Sequence, residues 1–230
     1  MGATTDYLPK STVRKLAERS DLWGAYLVAH VWGVIFAAIA MFIIWPNAIT
    51  FIAAFILVGS RQHGMAILMH DAAHGILFKS KRVNDFAGHY LLASPYGADL
   101  HSYRKYHLQH HRFTQKEDDP DLPLSVKYPL SKASLTRKLL RDITGLTYLR
   151  LRIGGLMMKR GGKKIDGSDS FVTSSEVPKI IANLILFAGF YLIGHPWLYF
   201  TLWLLPLFTW FFVLIPVSYT HLTLPTIYSV

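Results

Sequence analysis

The sequence predicts an all-α membrane protein in which two transmembrane helical hairpins are separated by a cytoplasmic, histidine-rich helical segment. Three observations predict it: apolar residues gathered into long blocks, basic residues confined to the stretches outside those blocks, and histidines repeated at helical spacing. In a chain of 230 residues that is 52% hydrophobic, a single soluble core would spread its apolar residues along amphipathic periods. Gathering them into blocks points to a bilayer.

The first block, Trp23 to Trp45, holds no Asp, Glu, Lys or Arg and exceeds the roughly 20 helical residues that cross a hydrocarbon core of about 30 Å. It is too long for the apolar region of a secretory signal, and Pro46 and Asn47 make a turn where a cleavage site would follow. The second block, Ala48 to Gly59, is short for a span. Arg61, Gln62 and His63 interrupt it before Met65 to Met69 resumes the apolar run, so its far end is expected at a membrane surface or inside protein. A third block, Ile180 to Ile193, and a fourth, Trp197 to Pro216, are separated only by Gly194, His195 and Pro196, which predicts a second hairpin with almost no loop.

Charge sets the expected orientation. The 24 Lys and Arg residues lie between Lys10 and Arg19, at Arg61, or between Lys79 and Lys179, and neither hairpin turn carries one. By the positive-inside rule the N-terminus and the central segment are cytoplasmic. A net charge of +10 is therefore accounted for by topology, and no nucleic-acid motif accompanies it. The central segment also contains a glycine- and lysine-rich stretch, Gly161 to Asp169, read as a loop. A second stretch there interleaves Arg137, Lys138, Arg141, Arg150 and Arg152 with Leu139, Leu140, Leu149 and Leu151, a pattern that suits either an interfacial helix on anionic lipid or an acidic redox partner.

The chain has no cysteine, which excludes disulfide frameworks, thiolate zinc sites, iron–sulfur clusters and cysteine nucleophiles. Any metal must take nitrogen or oxygen ligands. Of the 11 histidines, five fall in two clusters: His70-Asp-Ala-Ala-His74 and His107-Leu-Gln-His110-His111. Spacings of three and four residues put imidazoles on one helix face, close enough to share an ion at about 2.0–2.1 Å. One such pair often arises by chance; two boxes beside membrane blocks make metal binding the better reading. Imidazole donors suit zinc, copper, iron or nickel, and spacing alone does not choose among them. Asp71 is a candidate acceptor that orients a ligating imidazole through its other ring nitrogen, and His101, six residues before the second box, is a candidate auxiliary residue. His63, His30, His89 and His195 are read as structural, and the acidic run Glu117, Asp118, Asp119, Pro120, Asp121 as a solvated turn broken by proline in preference to a carboxylate cluster supporting the metal site near Arg112.

With HDAAH and HLQHH in the order hairpin, box, cytoplasmic segment, second box and second hairpin, the chain resembles the membrane fatty acid desaturase family from about Trp23 to Pro216. The resemblance implies an integral membrane oxidoreductase, in a bacterium in the inner membrane, that introduces a double bond or a hydroxyl group into a lipid or carotenoid chain. It also implies two non-haem iron ions as cofactors with dioxygen as co-substrate, His70, His74, His107, His110 and His111 as ligands, a membrane lipid or acyl substrate, and an external electron donor such as a ferredoxin or small haem protein. The family carries a third histidine box after its fourth membrane segment, whereas only 14 residues follow Pro216. The stretch from Val217 to Thr226 resembles a translated adapter used in DNA library preparation, so residues 1–216 are expected to form an incomplete desaturase-like domain and 217–230 an artefact tail. Two other functions compete with this reading. An intramembrane zinc peptidase is suggested by HDAAH, which differs from HExxH by one carboxylate carbon, but it has no use for three further clustered histidines. A non-catalytic metal carrier would hold an exchangeable ion.

Overall fold

The computed structural model describes residues 9–16, 18–122, 131–147, 149 and 176–209. Among them every regular element is helical. A short α1 (Lys10–Leu16) precedes α2 (Asp21–Ile44) and α3 (Ala48–Ala73). Each of the latter two is long and apolar enough to cross a membrane. Their 24 and 26 residues correspond to about 36 and 39 Å at about 1.5 Å per residue. The interruption at Arg61, Gln62 and His63 does not break α3, which runs unbroken to the first histidine box.

The turn between α2 and α3 is built from its own residues. Asn47 accepts from the backbone N–H of Ile49 and Thr50, and Thr50 Oγ1 accepts from the Asn47 N–H at 3.2 Å, a reciprocal cap. Along α2, Val28, Val31, Ile35, Ala38, Ile39 and Phe42 are buried, and they join Ala54, Val58, Met65 and Leu68 of α3 in one core. The outward faces are apolar as well, with Phe36, Ile44, Ile49, Ile52 and Ile67 exposed. Helices apolar all round require an apolar surrounding on their outer side too.

After α3 the chain turns through Gly75 into α4 (Lys81–Phe86), a π-helical stretch (π1, Ala87–Ala93) and α5 (Ser94–Tyr96), then through Gly97 into α6 (Leu100–Phe113). α7 (Lys132–Ile143), α8 (Val177–Leu192) and a second π stretch (π2, Tyr199–Leu204) complete the described elements. Wider π turns loosen backbone carbonyls, and side chains collect them: Ser94 Oγ donates to His89 O at 2.7 Å and Gln62 Nε2 to Trp203 O at 2.8 Å. Trp32 stacks on Trp203 and donates its indole N–H to Leu91 O, so α2, π1 and π2 are cross-linked through one aromatic pair.

The third and fourth apolar blocks are helical as far as the structure describes them. Gly194 has φ +81°, and beyond it Tyr199 returns to pack on Phe187 and Phe190. Asn183 ties the pair together, accepting from Tyr199 Oη and Trp203 Nε1. At 16 residues α8 is shorter than a full span, and residues 210–216 of the fourth block lie outside the described residues. So do the Gly161–Asp169 loop, Arg150, Leu151 and Arg152 of the basic stretch, and residues 217–230.

Candidate metal centre

The first box closes α3. His70 sits in its last turn and His74 is the C-cap; Gly75, at φ +70°, lets its N–H reach Ala72 O while the Ile76 N–H reaches Asp71 O. A residue with Cβ meets a steric penalty at that φ, so glycine is the residue suited to stopping the helix one step after the box. The second box ends α6, which begins at the N-cap Asp99, whose carboxylate accepts from the Ser102 N–H at 2.8 Å.

One side chain joins the two helix ends. Arg104, three residues before His107, donates through Nε to Ala73 O at 2.9 Å and through one terminal nitrogen to Ala72 O at 2.8 Å and to Asp85. Those carbonyls are among the last four of α3, which have no partner within the helix and carry the negative end of its dipole. Buried Asn84 donates to Ala72 O as well. Burial alone would raise the Asp85 carboxyl, but hydrogen bonds from Arg104 and Asn84 pull it below its ordinary range. Tight backbone approach completes the junction: a Cβ on Gly88 would lie 2.5 Å from Ala72 Cβ, closer than side chains tolerate.

With α3 and α6 docked in this way, ring nitrogens of His70, His74, His107 and His111 all lie within 4.8 Å of one another. His107 is central: its Nε2 is 2.9 Å from His74 Nε2 and 3.0 Å from His111 Nε2. For nitrogen ligands at about 2.1 Å, neighbouring donors on one ion stand about 3 Å apart, so the His107–His74 and His107–His111 pairs have that spacing, and an all-imidazole set suits a transition metal in its chemistry. Tyr103, one turn earlier, stacks flat on His107 at 5.2 Å. Burial, reinforced by the surrounding imidazoles of His70, His111, His74 and His110, lowers the His107 pKa from 6.5 to about 3. The ring is therefore neutral at physiological pH, as a metal ligand must be.

The remaining sequence candidates fall in different places. Asp71 Oδ1 lies 3.3 Å from His70 Nδ1. His110 stands beside the four rather than among them, its ring centroid 6.2 Å from His107 and 5.8 Å from His111, with Nδ1 facing Asp119 at 2.7 Å. His101 packs its ring against His89 at 5.2 Å and is not one of the four. His63 is half-buried two turns up α3, and His89 is buried with Asp99 3.7 Å from its Nδ1. The acidic run is a turn with Glu117 and Asp118 exposed, but it is not solvated throughout: the Asp119 side chain is completely enclosed. Arg104, Asn84 and Asp119 are the residues that sequence reasoning missed as parts of the site. Asp119 was visible as one acid among several, but nothing in the run marked which of them turns inward.

Searches against curated proteins and against solved structures each return no match. The family model described as fatty acid desaturase matches residues 44–225, which takes in both histidine boxes and most of the described helices. The chain therefore belongs to the fatty acid desaturase family, whose members are membrane-bound oxidoreductases acting on lipid acyl chains.

Proposed function

We propose that the protein introduces a double bond into a fatty acyl chain at a centre of two non-haem iron ions, drawing on dioxygen and an external electron donor such as a ferredoxin or small haem protein. The observation that carries this reading is the convergence of four imidazoles from two separate boxes in a chain of the fatty acid desaturase family. His70, His74, His107 and His111 would hold metal, with His110 as the fifth donor. When bound, iron supplies oxygen-dependent removal of hydrogen from an unactivated carbon, chemistry beyond ordinary acid and base side chains.

The chain's own residues hold and shield that centre. Arg104 clamps the two helix ends so that the boxes face each other, Tyr103 covers one face of His107, and Asp71 orients His70. The zinc peptidase reading has no use for the second box, whose His107 and His111 join the first box's histidines in one cluster. We assign α2 and α3 to one membrane hairpin and α8 with the helix that follows to a second, with the histidine centre on the cytoplasmic side. Arg19 Nη1 donates to Gly75 O and Asp21 Oδ1 accepts from the Lys79 and Ser80 N–H groups, so the start of α2 and the histidine centre share one end of the helix pair.

The test is to express the full-length protein in a host membrane and analyse acyl chains by gas chromatography and mass spectrometry. New monounsaturated chains are expected, and His107→Ala or His110→Ala should abolish them while the protein still inserts. A hydroxylated product would reassign the reaction to hydroxylation; unchanged double-bond formation in His107→Ala would remove that residue from the ligand set.

A further inference from the structure

Among the box histidines, His110 has a ring nitrogen bonded to an enclosed carboxylate. Its Nδ1 lies 2.7 Å from Asp119 Oδ1, and Asp121 Oδ2 stands 3.5 Å from the same nitrogen. Asp119 is in turn held rigidly: Oδ1 accepts the Asp121 N–H and Oδ2 the Gln115 N–H, both at 2.8 Å. Gln115 adopts φ +61° in the turn that brings its N–H to that oxygen. Tyr106 donates to the Asp121 carboxylate and Gln109 Nε2 to Asp118 O. The segment after the second box thus wraps back on α6 and delivers one carboxylate to one imidazole.

Both Asp119 oxygens accept from backbone N–H groups, so the side chain acts here as an acceptor and the imidazole nitrogen that meets Oδ1 carries a proton. In a neutral imidazole the other nitrogen then keeps its lone pair. We propose that Asp119 is a positioning residue: it holds His110 as the Nδ1–H tautomer and fixes the ring plane, which makes Nε2 the donor atom that the second box offers to metal. The proposal rests on the metal reading above and assigns Asp119 a role within it. A purely structural alternative is an ion pair with doubly protonated His110 that pins the turn.

The two are separated in the full-length, metal-free protein labelled with 15N-histidine, with the His110 signals assigned by their loss in His110→Asn. In the wild-type protein His110 should carry its proton on Nδ1, with Nε2 free. Asp119→Leu should release it to a mixture of tautomers and weaken binding of Co2+, used as the metal probe, by about 10- to 100-fold, the usual cost of losing a group that orients a ligand. Asp119→Glu should recover part of that loss, and Asp118→Asn should leave tautomer and affinity unchanged. A wild-type His110 protonated on Nε2, or on both nitrogens, would overturn the proposal without any variant having to fold, as would unchanged tautomer and Co2+ affinity in Asp119→Leu. Failure of the wild-type protein to bind Co2+ would overturn the metal reading instead; the tautomer in the metal-free protein still decides whether Asp119 sets the state of His110.

Discussion

At the scale of single residues, the site depends on how its imidazoles are buried and aimed. His107 is the clearest case, with its pKa lowered from 6.5 to about 3 by burial and by the imidazoles around it. In the unfolded chain the same ring takes up a proton as pH falls through about 6.5, the unperturbed histidine value, while the folded ring stays neutral until about pH 3. Between those values the unfolded state binds more protons, so stability rises with pH across the window. The contribution is present in full above the unfolded value and is lost progressively on acidification. The thermal midpoint of the metal-free protein in detergent is expected to fall from pH 7 to pH 4, and His107→Leu should fall less steeply over the same range. Parallel profiles for the two would show that His107 is not held neutral. Spacing within the second box brings His110 and His111 near His107, but the burial that lowers its pKa most, and the imidazoles of His70 and His74, come with the docking of α3.

At the scale of elements, the histidine boxes are helix ends, and helix ends need partners. The last carbonyls of α3 find them in Arg104 and Asn84, which makes the guanidinium both a cap and the clamp that sets the approach of α6. Arg104→Ala should destabilise the protein by about 1.5–3 kcal/mol, the range for hydrogen bonds made by a charged group, and should lower metal content beyond what partial unfolding accounts for. Arg104→Lys should rescue little, since an ammonium cannot reproduce the planar fork that serves two carbonyls and a carboxylate. Thermal unfolding together with metal analysis of the purified variants checks both. Loss of stability with full metal content in the folded fraction would reduce Arg104 to a cap. The helix periods were legible beforehand: the i, i+4 spacing of box one and the i, i+3, i+4 spacing of box two placed each set on one face. The unbroken course of α3 through Arg61, Gln62 and His63 was not legible as a span. Buried Gln62 gains its place from Trp203 O, 141 positions away.

For the whole molecule, the two long apolar helices and the charge distribution lead to a topology that can be tested directly, because a chain without cysteine accepts single labelling sites on a clean background. A cysteine at Lys132 is expected to react with a membrane-impermeant maleimide only from the cytoplasmic side, and one at Ala48, in the turn between α2 and α3, only from the opposite side. Labelling of Lys132→Cys from outside intact cells would overturn the orientation.

By itself the sequence determined the all-helical class, the helical spacing of the five box histidines, the exclusion of thiolate chemistry and the resemblance to the family, because each depends on composition or on short-range periodicity. The family match over residues 44–225 agrees with that resemblance. Tertiary structure alone decided that His74 meets His107 across 33 positions, that Arg104 is the clamp, and that one acid of a charged run is enclosed against His110. The physical reason is range. A helical period constrains which side chains share a face, whereas which faces meet depends on packing between elements far apart in the chain, and local pattern carries no record of that distance.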